Sequence, residues 1–211
     1  MSKEPLPHIA VAPQDLHTVR DWVRFFVSEM RRGQVFFGHG SSNAFDEAIY
    51  MVQSALSLPI GDLGPFWDAR VTSHETTRLL RFITQRVVDR KPASYITGEA
   101  WLQGQCFKVD ERVIIPRSFI AELLADQLTP WVNAPEMPFD VLDMCTGSGC
   151  LAILAAHVFE NAEVDAVDLS TDALSVAREN IALHELKHRV HAIESDLFSH
   201  LHGKQYDFIL T

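Results

Sequence analysis

Up to Asp89, apolar residues recur at helical spacing. Leu16, Val19, Val23, Phe26, Val27 and Met30 recur at spacings of three and four, Phe26 and Val27 standing three and four residues after Val23. They form one face of an amphipathic helix that Gly33 stops. Phe36-Phe37-Gly38-His39-Gly40 reads as a loop. Asn43 is placed to cap a second helix, with Ala44, Ala48, Met51, Val52 and Leu56 facing inward and Pro59 and Gly61 closing it. A third helix is predicted from Ser73 to Asp89. Thr72 and Glu75 fit a capping box, and Leu79, Leu80, Ile83 and Val87 make its buried stripe. Three prolines within residues 1–14 predict an irregular arm.

The period then changes. Tyr95 to Thr97, Ala100 to Leu102, Cys106 to Val109 and Val113 to Ile115 are short β-prone segments, punctuated by Gly98, Gly104 and Asp110-Glu111, and they predict a β-hairpin connector. From Phe139 the rhythm is strand, helix, strand. Val141 to Met144, Val164 to Val167, Val190 to Ile193 and Tyr206 to Leu210 are apolar runs. Helices are predicted after Gly149 and from Thr171 to Leu183. Such alternation predicts an α/β fold with a parallel sheet covered on both faces. The expected division is a helical domain over 1–92, the connector over 93–117 and a sheet domain over 118–211.

Composition narrows the classes. The 211 residues hold 28 acidic and 18 basic side chains, a net charge of −10 that disfavours non-specific nucleic-acid binding. No apolar run reaches membrane-spanning length, and Met1 to Pro5 lacks an export signal's apolar core. Three cysteines with no pairing pattern predict a reduced, cytoplasmic protein.

The chemistry concentrates in Asp143-Met144-Cys145-Thr146-Gly147-Ser148-Gly149-Cys150, delivered by a strand and left by a helix. Glycines there let a ligand approach the backbone, and a helix N-terminus offers free N–H groups. The next strand ends in Asp168, where a carboxylate can accept both hydroxyls of a ribose, and the one after it runs into Ser195-Asp196-Leu197-Phe198. Ligands of such sheets sit outside the strands' C-terminal ends, so Gly147, Asp168 and Asp196 should line one crevice. Gly147-x-Gly149-x-x-Ala152 also satisfies a loose dinucleotide fingerprint. Asp143 favours a cationic amino-acid tail, as in S-adenosylmethionine, over a pyrophosphate that it would repel. NAD or FAD, or a merely structural turn with Asp143 as a capping carboxylate, are the alternatives.

Residues Asp143 to Leu151 resemble the first motif of the class I methyltransferases that modify glutamine amides in proteins. Lys91-Pro92-Ala93-Ser94-Tyr95-Ile96-Thr97-Gly98 and Val113-Ile114-Ile115-Pro116-Arg117 are similar to the same family's connector motifs. Pro116-Arg117-Ser118-Phe119-Ile120-Ala121-Glu122-Leu123 differs from the Pro-Arg-Pro-x-Thr-Glu of the release-factor branch. It is similar to the branch acting on the third large-subunit ribosomal protein, as are Val35 to Gly40 and Asn43 to Ala48. The resemblance implies an N-terminal substrate-recognition domain, S-adenosylmethionine as cofactor and methyl transfer to a glutamine side-chain nitrogen of that ribosomal protein. It places Asp143, Cys145, Thr146, Gly147, Ser148 and Gly149 around the cofactor's methionine portion, Asp168 at the ribose, and Asp196 and Leu197 beside the adenine. Cys145 stands where wider methyltransferases have glycine, and no nucleophilic role is expected of it. Pro116 and Arg117 are candidates for contact with substrate or cofactor, a structural salt bridge being the alternative for Arg117.

The family's catalytic signature, Asn-Pro-Pro-Tyr, directly follows its fourth strand. Here Tyr206-Asp207-Phe208-Ile209-Leu210-Thr211 is that strand, and the sequence ends. An amide nitrogen is a poor nucleophile because its lone pair is delocalised, so the motif's acceptors must orient it toward the methyl group. The expectation is therefore a fragment or an early-ended reading frame that binds cofactor weakly and methylates little. Release-factor methylation, a non-catalytic cofactor-binding module and a DNA adenine methyltransferase are the alternatives. The last needs a basic face that −10 argues against.

Several motifs read as bystanders. His184-Glu185-Leu186-Lys187-His188 matches His-Glu-x-x-His, but it falls where a helix should end, which would splay the two imidazoles and exclude a zinc site. His191, His200 and His202 read as surface residues, and the four tryptophans as packing residues too dispersed to stack bases. Arg31-Arg32 fits a helix C-terminus, with contact to ribosomal RNA as the sharper alternative.

Overall fold

The Thr18 hydroxyl accepts a hydrogen bond from Asp21 N–H while the Asp21 carboxylate accepts Thr18 N–H, a reciprocal cap that starts helix α1, Val19–Arg32. In this computed structural model residues 15–38 and 40–211 are described, and they form two compact units, Met1–Thr97 and Gly98–Thr211. The expected N-terminal arm and His39 lie outside the described residues.

In the first unit α1 buries Trp22, Val23, Phe26 and Met30, and Arg31 and Arg32 close its last turn. Helix α2, Ala44–Leu56, is capped by the Asn43 side chain, which accepts from Phe45 and Asp46 N–H. It ends at Ser57 in a left-handed conformation (φ 56°), before the expected Pro59 and Gly61 stop. Helix α3, Ser73–Val87, starts on the Thr72–Glu75 capping box. Trp22, Phe26, Met30, Met51, Leu79 and Ile83 are its shared core, almost wholly shielded from solvent. Within it lies a buried ion pair: Arg86 Nε donates to Glu47 Oε1 at 2.6 Å, and Arg86 Nη2 donates to the Phe36 carbonyl at 2.8 Å. The bond to Phe36 pins the 35–38 loop to α3.

The expected strand at Tyr95–Thr97 is instead part of helix α4, Ala93–Thr97. Pro92 is preorganised for a helical start, and its carbonyl accepts from Tyr95 and Ile96 N–H. The β-propensity of Tyr95 and Ile96 loses to that local geometry and to packing against α2 and α3.

The second unit opens with an antiparallel hairpin, β1 (Glu99–Leu102) and β2 (Gln105–Lys108). Its two-residue turn, Gln103 and Gly104, has φ of 49° and 75°, the double positive φ that matches strand twist. The expected strand at Val113–Ile115 does not form. The chain there is irregular, burying Val113 and Ile115 and exposing Ile114, so alternation reports burial without a ladder. A short helix α5, Ile120–Ala125, follows and packs on α6.

Strands β3 (Asp140–Met144), β4 (Glu163–Asp168), β5 (Val190–Glu194) and β6 (Phe208–Leu210) form one parallel sheet in the order β5-β4-β3-β6. Helices α6 (Cys150–Val158) and α7 (Thr171–Leu183) connect β3 to β4 and β4 to β5. Both pack with the face bearing Val141, Val164, Ala166 and Val190. The other face carries a smaller cluster, Leu142, Met144 and Val167 with Leu201 and Tyr206 from the segment between β5 and β6. Helical cover on both faces, expected from the apolar strands, is thus seen on one face among the described residues. The order reverses at β3, since β4 and β6 lie on its opposite sides. That is the switch point where parallel sheets open a crevice at the strands' C-terminal ends.

Candidate functional site

The turn leaving β3 is built from unusual backbone. Cys145, Gly147 and Gly149 have φ of 60°, 57° and 81°, all left-handed. The two glycines serve different needs. A Cβ on Gly149 would lie 3.2 Å from Ala177 Cβ, so this glycine lets α6 approach α7. A Cβ on Gly147 would meet nothing, so its open side is where another molecule can approach. Cys145 holds a left-handed φ without being glycine and is exposed, a strained residue at the lip of the turn.

Asp143 lies beneath. Its carboxylate accepts from the Thr146 hydroxyl and, at 3.0 Å, from Ala152 N–H. It is 1% exposed. Burial pushes its carboxyl up to about 6; bonds from Thr146 and Ala152 pull back, and the charge on Asp168 pushes further up. It is thus a capping carboxylate inside the turn, and its charge can reach a ligand only through that turn. Burial also raises the Cys150 thiol to about 11, which leaves it an unreactive packing residue.

Asp168 ends β4, half-buried. One carboxylate oxygen accepts Gly147 N–H and the other Ser170 N–H, each at 2.9 Å. Each retains acceptor capacity, so two further donors can be taken. Thr146 N–H donates to the Val167 carbonyl at 2.9 Å, and Ser195 N–H to the Asp168 carbonyl at 3.1 Å, stitching the three strand tips together. The Ser195 hydroxyl, buried, donates to the Leu197 carbonyl and accepts His200 N–H, shaping a turn that exposes Asp196, Leu197 and Phe198. Leu169 and Leu197, at adjoining tips, are 66% and 56% exposed. The structure therefore brings Cys145 to Gly149, Asp168, Asp196 and Leu197 to one edge of the sheet. Pro116 is buried. Arg117 is exposed, with no ion pair among the described residues and no hydrogen bond to the turn, so the salt-bridge alternative has no partner here.

Asn180 on α7 carries no sequence signal and organises much of this. Wholly buried, it accepts Lys108 N–H at 2.7 Å, donates to the Lys108 carbonyl at 3.0 Å and donates to the Ser148 carbonyl at 2.8 Å. One side chain thereby ties the hairpin, α7 and the glycine turn together. Only its distant partners reveal it.

The two histidines of the His-Glu-x-x-His segment do not share a helical face. His184 terminates α7, and Glu185 has φ 61°, breaking the helical face. His184 contacts His157 at 3.2 Å and the Cys106 carbonyl at 2.9 Å. Burial, with His184 and Arg189 nearby, holds His157 below its usual range. No cluster of three metal-ligating side chains occurs among the described residues. None of their helices is long and apolar enough to cross a membrane. Trp22 packs in the core as expected, whereas Trp131 is 71% exposed.

The methyltransferase small domain family matches residues 121–211, a stretch that begins in α5 and includes the whole crevice. Curated relatives extend the match to the helical unit. The ribosomal protein uL3 glutamine methyltransferase of Bordetella pertussis is 53% identical over 197 residues, covering 93% of this chain and 66% of that protein. Its counterpart in Burkholderia pseudomallei is 52% identical over 210 residues, covering 96% and 68%. That of Francisella tularensis is 45% identical over 197 residues, covering 93% and 63%. The chain spans about two thirds of the length of these relatives.

Proposed function

Because the chain belongs to the ribosomal protein uL3 glutamine methyltransferase family, we propose that it serves methyl transfer from S-adenosylmethionine to a glutamine side-chain nitrogen of that ribosomal protein. The observation that carries the reading is the switch-point crevice, in which an open glycine, a buried carboxylate and the two-oxygen acceptor Asp168 meet in a chain 53% identical to such an enzyme.

The residues present fit that cofactor. Gly147 lets the amino-acid tail lie against the backbone, and Asp143 attracts its ammonium from beneath the turn. Asp168 accepts the ribose hydroxyls. Leu169 and Leu197 offer apolar surface to the adenine, with Asp196 at its edge. When bound, the cofactor would supply an electrophilic methyl group on its sulfonium; transfer to the amide nitrogen would leave a thioether behind and release one proton to water. The groups that orient the amide are expected in an Asn-Pro-Pro-Tyr segment, which these 211 residues do not contain. The helical unit is the substrate-recognition part, and modification of a ribosomal protein puts the reaction in the cytoplasm.

Titration calorimetry of the chain with S-adenosylmethionine tests the cofactor reading. Asp168→Asn should lower affinity about tenfold, the scale of losing bonds to a charged acceptor. Uptake of a nicotinamide or flavin with no heat from S-adenosylmethionine would overturn it. Labelled methyl transfer to purified uL3, to release factor and to DNA, by the chain joined to an Asn-Pro-Pro-Tyr-bearing segment of a relative, tests the substrate. Transfer confined to uL3 is the expected result.

A further inference from the structure

The net charge of −10 is unevenly divided. Residues 1–97 hold 11 Lys and Arg against 10 Asp and Glu, net +1, whereas residues 98–211 hold 7 against 18, net −11. On the near-neutral unit, the outer face of α3 presents His74, Thr77, Arg78 and Arg81, which line an open groove of about 290 Å³. The four residues stand at i, i+3, i+4 and i+7, on one side of the helix over roughly 10 Å of its length. Both guanidinium groups lie over one buried ring, at 5.6 Å (Arg78) and 5.7 Å (Arg81) from the Phe82 centroid. Arg78 Nη1 also donates to the Ser57 hydroxyl at 3.3 Å. Neither arginine has a carboxylate partner among the described residues, although α3 begins with one at Glu75, which its capping box occupies. Arg20, Arg32 and Arg112 do have such partners, in Asp68, Glu29 and Asp110, whereas exposed Arg24, Arg70 and Arg117 share the unpaired state among the described residues; what sets Arg78 and Arg81 apart is that they line one groove.

Two guanidinium forks without carboxylate partners, with the His74 imidazole on the same face, make a cradle for an oxyanion; the Thr77 hydroxyl is already committed, donating to the Ser73 carbonyl at 3.2 Å. No large apolar side chain lines the groove, so it lacks the buried anchor on which protein partners depend. A phosphate backbone needs no such anchor; its attraction is to charge and to hydrogen-bond donors. We propose that the His74–Arg78–Arg81 face of α3 binds the phosphate backbone of RNA that accompanies the ribosomal protein substrate. The inference rests on the uL3 reading for the identity of the polyanion. The acidic second unit is then kept for a basic polypeptide and the α3 face for the RNA.

The test is fluorescence anisotropy of the 211-residue chain with a labelled RNA hairpin across a range of salt, with polyglutamate as the competing polyanion. Arg78→Gln/Arg81→Gln should weaken RNA binding at least tenfold and make the salt slope shallower by about 1.4–1.8, since each lost phosphate contact contributes about 0.7–0.9. Arg78→Lys/Arg81→Lys should restore most of the slope. Both variants should keep the wild-type melting temperature and S-adenosylmethionine affinity. Absence of RNA binding, an unchanged slope in the Gln variant, or equal competition by polyglutamate would overturn the proposal. Because the cofactor titration is read separately, each of these outcomes leaves the crevice assignment standing or falling on its own.

Discussion

The helical unit and the sheet unit handle polar groups in opposite ways. In the first, helix starts are closed by neighbours three residues away, Thr18 with Asp21 and Thr72 with Glu75, and its left-handed residues sit at helix ends and loops. Its buried Glu47–Arg86 pair holds the 35–38 loop in place. In the second, three left-handed residues fall within five positions, Cys145 to Gly149, over a buried carboxylate. Irregular backbone there points at open space, as at Gly147. Left-handed backbone gathered beside open space is what a ligand-facing turn would show, whereas a paired charge buried in a core marks scaffolding.

The largest expected effect falls on the scaffolding side. Glu47→Ala leaves the Arg86 guanidinium buried without its partner, which should cost about 3–5 kcal/mol in denaturant unfolding. Replacing both partners with apolar residues, Glu47→Met with Arg86→Leu, should recover most of that loss. Recovery would show that the pair specifies the loop more than it stabilises the unit. A single substitution costing under about 1 kcal/mol would erase the contrast between the two units.

The second effect belongs to the crevice. In the folded chain the Asp143 carboxyl sits at about 6 against its ordinary 3.8. Below about pH 4 both folded and unfolded states hold the proton and no penalty exists. As pH rises, the unfolded chain releases it first, so folding stability falls, reaching a full cost of roughly 3 kcal/mol above about pH 6. Asp143→Asn, which cannot ionise, should gain on the wild type by about that amount between pH 4 and pH 7. A bound ammonium favours the ionised form, so S-adenosylmethionine affinity should rise through the same range in the wild type and stay flat in Asp143→Asn. Parallel stability curves for the two proteins would remove Asp143 as the source.

The same contrast explains what could be read from residues alone. Helices α1 to α3 were legible because their caps and stripes are local: Thr72 and Glu75 are three positions apart, and the start of α3 follows from them. The four strands and the glycine turn were legible because a parallel sheet demands apolar runs and a ligand-facing turn demands glycine. Helix α4 was hidden because Tyr95 and Ile96 favour strands and only Pro92 and tertiary packing reverse that preference. Two further features lie at long range. Asn180 and Lys108 are 72 positions apart, Arg86 and Glu47 are 39 apart, and no periodicity connects either pair. The sequence names Asp143 as a site residue; in the structure it is buried and caps the turn from within, accepting from Thr146 and Ala152.

The sharpest test of the comparison uses the two glycines, because both share the turn and the left-handed backbone. Gly149→Ala adds a methyl group 3.2 Å from Ala177 Cβ at φ 81°. It should cost about 1–3 kcal/mol of stability, from backbone strain plus displaced packing of α6 on α7. Gly147→Ala carries the same kind of strain at φ 57°, but its methyl group meets nothing in the protein. Its stability cost should stay near 1 kcal/mol, the backbone part alone. The binding result should invert that order. The methyl group at 147 occupies the side from which a ligand approaches, so S-adenosylmethionine affinity should fall more than tenfold. In Gly149→Ala, measured where the protein remains folded, affinity should change less. Equal losses of affinity in the two variants would mean that the turn acts as one structural piece and that the open side of Gly147 faces no ligand.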